Sequence, residues 1–178
     1  MALKATIFKV ELAIADMDRH YYETHQLTLA RHPSENDERM MLRLVAFALN
    51  AHEQLQFTKG LSTDDEPDLW QKSLSDEIEL WIDLGQPSEK RIRQACGKAK
   101  QVKLYTYGGN TTEAWWQQAA KVCKRHNNLK VINIDSTTSE QLAQLTERTM
   151  QLQVNIQDGE LLISSSLGSV TFTPQTLQ

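Results

Sequence analysis

Over residues 77–84 the side chains alternate, with Ile78, Leu80, Ile82 and Leu84 on one face of an extended segment and Glu77, Glu79, Trp81 and Asp83 on the other. Such a strand belongs at the centre of a fold, with one apolar face and one acidic face, and it delivers Asp83 to the turn Gly85-Gln86-Pro87. The segments after that turn narrow the class further. Pro87-Ser88 opens a helix with Ile92, Ala95, Cys96 and Ala99 on one stripe, and residues 102–107 read as a strand. Gly108-Gly109-Asn110 then turns into a helix carrying Trp116, Ala119, Ala120 and Cys123, followed by a strand at 129–134 and a helix at 139–148 with Leu142 and Leu145 inward. This alternation of strands and helices predicts an α/β fold with parallel pairs.

The two ends of the chain read differently. Thr6, Phe8, Val10 and Leu12 alternate with Ile7, Lys9 and Glu11, and after a turn containing Asp16, Asp18 and Arg19 a second extended run covers 21–29, which predicts an N-terminal hairpin. Pro33-Ser34 opens a helix with Ser34 and Asp37 spaced as a capping pair, a stripe at Met41, Leu44, Val45 and Ala48, and an end near His52. Residues 59–66 form an acidic loop. Beyond the last helix, Leu152, Val154 and Ile156 alternate up to the turn Asp158-Gly159, and extended runs return at 161–165 and 170–173 as antiparallel additions. The expected fold is one domain, 1–178, with a mixed sheet flanked by helices.

A hydrophobic fraction of 40% and a charged fraction of 24% are those of a globular protein. No apolar run reaches the roughly 18 residues of a membrane span, so a cytoplasmic protein with no membrane partner is expected. Cys96 and Cys123 fall on apolar helix faces, where packing as small hydrophobes is the first reading and a disulfide or reactive thiol the alternative. A net charge of −4 argues against binding nucleic acid through a global positive field, but the charge is segregated. Asp64, Asp65, Glu66, Asp68, Asp76, Glu77, Glu79 and Asp83 come first, and Lys90, Arg91, Arg93, Lys98, Lys100 and Lys103 come directly after them. A solvated loop followed by a solvated helix explains that run as well as a binding surface does.

The histidines include no i, i+4 pair, neither cysteine lies in a CxxC, and the GxSxG, Walker A and GxGxxG signatures are absent. Gly108-Gly109-Asn110-Thr111-Thr112 can be read as a phosphate cradle, or as the cap that any strand-to-helix turn needs. What remains is oxygen-donor chemistry: Asp68, then Glu79 and Asp83 on one strand face, then Gln86, Glu89 and Lys90 at the turn into the helix. Two carboxylates from separate segments can hold a hard cation beside a phosphate, and a nearby lysine can stabilise the charge that develops there.

Three blocks give the chain its resemblance to a known family: residues 33–39, Pro67-Asp68-Leu69-Trp70, and the run from Trp81 through Asp83-Leu84-Gly85-Gln86-Pro87-Ser88-Glu89-Lys90-Arg91 to Ile92. With Tyr105-Thr106-Tyr107-Gly108 they resemble the YaeQ family over essentially the whole chain. The family's fold is similar to that of the PD-(D/E)XK nucleases, which implies a restriction-endonuclease-like core. Carried over on that resemblance, Asp68 and Asp83 are the acidic pair and the ligands of Mg²⁺ or Mn²⁺, with Glu79 and Glu38 as further carboxylates. The lysine of a strict D-x-K would stand at 85, where this chain has Gly85, so Gln86 or Lys90 takes that role. Arg39, Trp70 and Arg91 complete the implied binding set.

The bland roles stand beside these. Asp68 after a proline can cap a turn, Asp83 at a strand end can accept N–H bonds, Lys90 can be a solvated first-turn charge, and Trp70 and Trp81 can pack rather than stack on a base. Two functions therefore remain open. One is a metal-dependent phosphodiesterase or nuclease-like hydrolase; the other is a non-catalytic module that keeps the fold and binds nucleic acid or a protein.

Overall fold

The structure is a computed structural model, and it describes residues 4–59 and 65–178. In chain order its elements are β1 (Thr6–Asp16), β2 (Tyr21–Arg31), α1 (Asp37–Asn50), β3 (Leu55–Phe57), β4 (Leu69–Lys72), β5 (Ile78–Leu84), α2 (Glu89–Lys98), β6 (Ala99–Thr106), α3 (Asn110–Cys123), β7 (Leu129–Asn133), α4 (Ser136–Ala143), β8 (Thr149–Gln157), β9 (Glu160–Ser165), β10 (Gly168–Phe172) and β11 (Gln175–Thr176). Among the described residues these form two mixed sheets and four helices. The chain divides into two compact units, one drawn from 1–49 and 137–174, the other from 50–136 and 175–178.

In the first unit β1 and β2 make the expected hairpin, paired without a break from Thr6–Arg31 to Asp16–Tyr21. Asp16 closes its turn by accepting the N–H groups of Asp18 and Arg19 and the Arg19 Nε at 2.7 Å. The strand order is β10-β9-β8-β1-β2. The single mixed sheet expected from the sequence is thereby corrected to two. β8 runs parallel to β1 and places Leu152 and Val154 level with Leu12 and Ile14, so the C-terminal strands extend the apolar face of the hairpin instead of the parallel strands. β9 and β10 then add antiparallel, as expected.

Helix α1 is buried on nearly every side from Met40 to Ala48, more than its predicted stripe requires. Its cap is Asn36, whose Oδ1 accepts the Arg39 N–H at 2.9 Å; Ser34 instead bonds the His32 ring, and Asp37 pairs with Arg31. Helix α4 starts three residues earlier than predicted and stops at Ala143. There the N–H groups of Leu145 and Thr146 turn back to Leu142 and Ala143, and this releases the chain into β8.

Inside this unit His25 bonds the Tyr21 hydroxyl at 2.7 Å and meets the edge of Phe47 at 5.0 Å between ring centroids. Burial pushes its imidazole below the ordinary 6.5, with the Glu23 charge opposing. The native state therefore takes up its proton later than the unfolded chain does. Its stability contribution is complete above about pH 6.5 and is lost as pH falls from there through the lowered native value. A pH series of thermal melts should show this slope in the native chain and not in His25→Gln.

The second unit has the strand order β11-β7-β6-β5-β4-β3, with β5, β6 and β7 parallel and the flanking strands antiparallel. Trp81, Val102, Leu104, Val131, Ile92, Ala95, Ala119 and Cys123 form one cluster beneath α2 and α3. Both faces of β5 are buried from Leu80 onward, so the face that carries Trp81 and Asp83 is covered as fully as the apolar one. A central parallel strand is covered on both sides, and here Trp81 and Asp83 lie under the helices. Cys96 and Cys123 are free, and burial pushes both thiols up to about 11, which makes them packing groups at neutral pH. No helix is long and apolar enough to cross a membrane.

Candidate functional site

The site is assembled by the pairing of β4 with β5. Leu69 lies opposite Ile82, so Asp68, one residue before β4, falls level with Asp83. Asp68 donates its N–H to the Ile82 carbonyl at 3.0 Å, and its Oδ2 accepts the Leu84 N–H at 2.9 Å. That buried carboxylate thus ties the ends of the two strands together.

Asp83 is held from another direction. Ser88 caps α2 by accepting the Arg91 N–H at 3.2 Å, which fixes the first helical turn just beyond the end of β5. From this turn Arg91 reaches back, its Nε at 3.0 Å from Asp83 Oδ2 and its Nη2 at 3.1 Å from Oδ1. Trp81, two residues upstream on the same strand face, donates its indole N–H to Oδ2 at 3.0 Å. Three N–H donors converge on one carboxylate whose side chain is 6% exposed. Arg91 also donates to the Glu66 carbonyl at 2.8 Å and lies 5.3 Å over the Trp81 ring. Trp81 in turn meets Trp70 edge-on, and the Lys72 ammonium sits 4.0 Å from the Trp70 centroid.

The other sequence-derived candidates are dispersed. Gln86 donates to the Tyr107 carbonyl at 2.6 Å and to Thr112 Oγ1 at 3.0 Å, closing the strand ends against α3. In the glycine loop the N–H groups of Thr111, Thr112 and Glu113 turn back onto the carbonyls of Gly108 and Gly109. A side chain at Gly109, where φ is 62°, would come within 3.3 Å of Ser136 Oγ. Lys90 is exposed and bonds no described residue. Glu79 shares Lys100 with Glu77, at 2.9 and 3.2 Å, and these two carboxylates raise the lysine's pKa. Glu38 and Arg39 belong to the first unit, where Glu38 accepts a bond from Ser139 and Arg39 pairs with Glu35 at 2.8 Å. Asp64 lies outside the described residues.

As placed, these donors do not fit a hard cation. Such an ion needs carboxylate oxygens turned to a common point, whereas both oxygens of Asp83 already accept N–H bonds and Asp68 bonds a strand amide. Among the described residues no three His, Cys, Asp or Glu side chains converge in a way that could hold a metal. One chain of contacts was not foreseen: Lys103 donates to Asn50 Oδ1 at 2.6 Å, and the Asn50 amide donates to the Tyr105 hydroxyl at 2.7 Å. Its signal was Lys103 set between the apolar Val102 and Leu104 of a predicted strand.

Comparison with known proteins fixes the relationship. The family described as YaeQ protein matches residues 1–174. A protein of Salmonella typhi described as uncharacterized protein YaeQ is 48% identical over 166 residues, covering 93% of this chain and 92% of that protein. One of Escherichia coli with the same description is 48% identical over 164 residues, covering 92% and 91%. The crystal structure of the YaeQ protein from Xanthomonas axonopodis pv. citri superposes with a TM-score of 0.95 at 51% identity over 98% of both chains. That of the YaeQ protein from Pseudomonas syringae gives 0.94 at 35% identity over 98% of this chain and 96% of that one. On these matches, the chain belongs to the YaeQ family.

Proposed function

We propose that this protein is a non-catalytic nucleic-acid-binding module, one that keeps a nuclease-like arrangement of strands and holds its acidic position shut with Arg91. The observation that carries this reading is the set of three N–H donors on Asp83. A carboxylate so engaged is a poor metal ligand, since coordination would require breaking a two-point arginine contact in a buried place. Charge placement supports nucleic acid as the target. The helical layer of the second unit exposes Lys90, Arg93 and Lys98 on α2, and Lys121, Lys124 and Arg125 at the end of α3, against Glu89 and Glu113. The whole chain is acidic, yet this layer is cationic, as a surface following a phosphate backbone needs to be.

Fluorescence anisotropy with labelled single- and double-stranded oligonucleotides tests the reading. Binding should appear at low salt, weaken as salt rises, and lose about one unit of salt slope for each of Lys90, Arg93 and Lys98 changed to alanine. Incubation with Mn²⁺ should leave the oligonucleotides intact. No binding at low salt sinks the nucleic-acid assignment, and binding indifferent to salt points to a protein partner.

The hydrolytic alternative rests on Asp68 and Asp83 standing level at their strand ends, and it requires Arg91 to release Asp83. Mn²⁺-dependent cleavage abolished by Asp83→Asn would establish it in place of the module.

A further inference from the structure

We propose that the outer edge of β2 is a docking strand for a second copy of this chain, which adds antiparallel to it and joins two five-stranded sheets across a two-fold axis. The inference starts from edge lengths. Sheet edges attract further strands, and folds usually blunt them by brevity, proline, lysine or a bulge. Three of the four edges here are brief: β3 has three residues, β11 has two and β10 has five. β2 has 11, contains neither proline nor lysine, and pairs with β1 in unbroken register, hence without a bulge.

Backbone direction can be read from neighbouring bonds. Lys9 and Met17 donate their N–H groups toward β8, so the odd residues of β1 face β8 and the even ones face β2. By the register, their partners in β2 are the odd residues Glu23, His25, Leu27 and Leu29. Tyr22, Thr24, Gln26 and Thr28 therefore aim both N–H and C=O away from the sheet. The bond from Arg43 Nη2 to the Ala30 carbonyl agrees, since it reaches the next even residue from outside and marks where the open stretch ends. The backbone groups of these residues have no partner among the described residues, and Tyr22, Thr24, Gln26 and Thr28 are all exposed, Tyr22 at 57%.

A second copy suits this edge because the stretch complements itself. With the axis beside His25, Tyr22 lies opposite Thr28 of the other copy and Thr24 opposite Gln26, so each of these residues exchanges backbone bonds with its counterpart. The side chains that meet are uncharged and of strand-forming or amide type, and Glu23 falls opposite Leu27, so no like charges are opposed. The nearest outer-face charges are already turned into the sheet, Lys9 onto Thr28 Oγ1 at 3.1 Å and Glu11 receiving Gln26 Nε2 at 3.0 Å. A two-fold pairing also covers both open edges at once and closes the assembly.

Sedimentation equilibrium of the full chain over a concentration series should give twice the chain mass at its upper end. Thr24→Pro removes an outward N–H that the monomer does not use, and Thr24→Lys places a guarding charge on the edge; both should sediment as monomers, with melting curves that match the native chain's at dilutions where it too is monomeric. Amide exchange at Tyr22, Thr24, Gln26 and Thr28 should slow with concentration in the native chain and not in Thr24→Lys. A native chain that remains monomeric throughout, or a dimer that persists in Thr24→Lys with those amides unprotected, overturns the proposal. Because oligonucleotide binding is assigned to the helical layer of the other unit, its failure leaves this result independent.

Discussion

Arg91→Ala should lower the unfolding free energy by about 3 kcal/mol, because it leaves Asp83 charged and buried with, among the described residues, the Trp81 indole alone to answer it. The loss has two sources. The two-point contact to Asp83 goes, and so does the bond to the Glu66 carbonyl that fastens the segment before β4 to α2. Asp83→Asn on the native background costs less, since an amide oxygen still accepts the indole N–H. Combining the two should therefore cost less than the sum of the single changes, and a double-mutant cycle should return a coupling of about 1–3 kcal/mol. Trp70, Trp81, Trp115 and Trp116 all belong to the second unit, so tryptophan fluorescence during urea unfolding reports on this unit without interference from the other. A cost below about 1 kcal/mol would mean that the pair behaves as a surface ion pair, and Asp83 would then be open to other partners.

That carboxylate also marks where reading the sequence succeeded and where it fell short. The β5–α2–β6–α3–β7 succession was legible because each element carries its own periodicity and its own turn residues. The level placement of Asp68 and Asp83 was not visible, because it depends on an antiparallel pairing between β4 and β5 that four-residue β4 is too short to announce. The strand period places Glu77, Glu79 and Asp83 on one face without saying which of them meets water. Only Glu77 and Glu79, near Lys100 at the start of the strand, do so, while Asp83 is neutralised by an arginine eight positions on, across a turn. The parallel β1–β8 pair joins segments separated by most of the chain, and local pattern carries no information about such a partner. Helix α1 was legible as a helix, but its burial on all sides was hidden by Arg43, whose charge reads as surface until its partner is known.

The partner is Glu35, and Glu35→Ala should destabilise the first unit by about 3–5 kcal/mol. Its carboxylate is 2% exposed and receives Arg43 Nη2 at 2.6 Å and Arg39 Nη1 at 2.8 Å. Arg39 has an escape to water, being at the end of the buried stretch with 13% of its side chain exposed. Arg43, at 6%, does not, so loss of the Glu35 carboxylate leaves a full positive charge in a dry place. Glu35→Gln should cost less, because the amide still accepts a bond although it no longer opposes the charge. The decisive comparison is Glu35→Leu combined with Arg43→Met, which removes both charges and fills the space with apolar side chains. This pair should recover most of the stability lost in Glu35→Ala, as replacing a buried ion pair by packed hydrophobes commonly does. The unit contains no tryptophan, so the measurement is amide exchange along α1 or far-ultraviolet dichroism against urea. If the double replacement is as unstable as Glu35→Ala alone, the ion pair sets the docking of α1 by its geometry and not merely by cancelling charge.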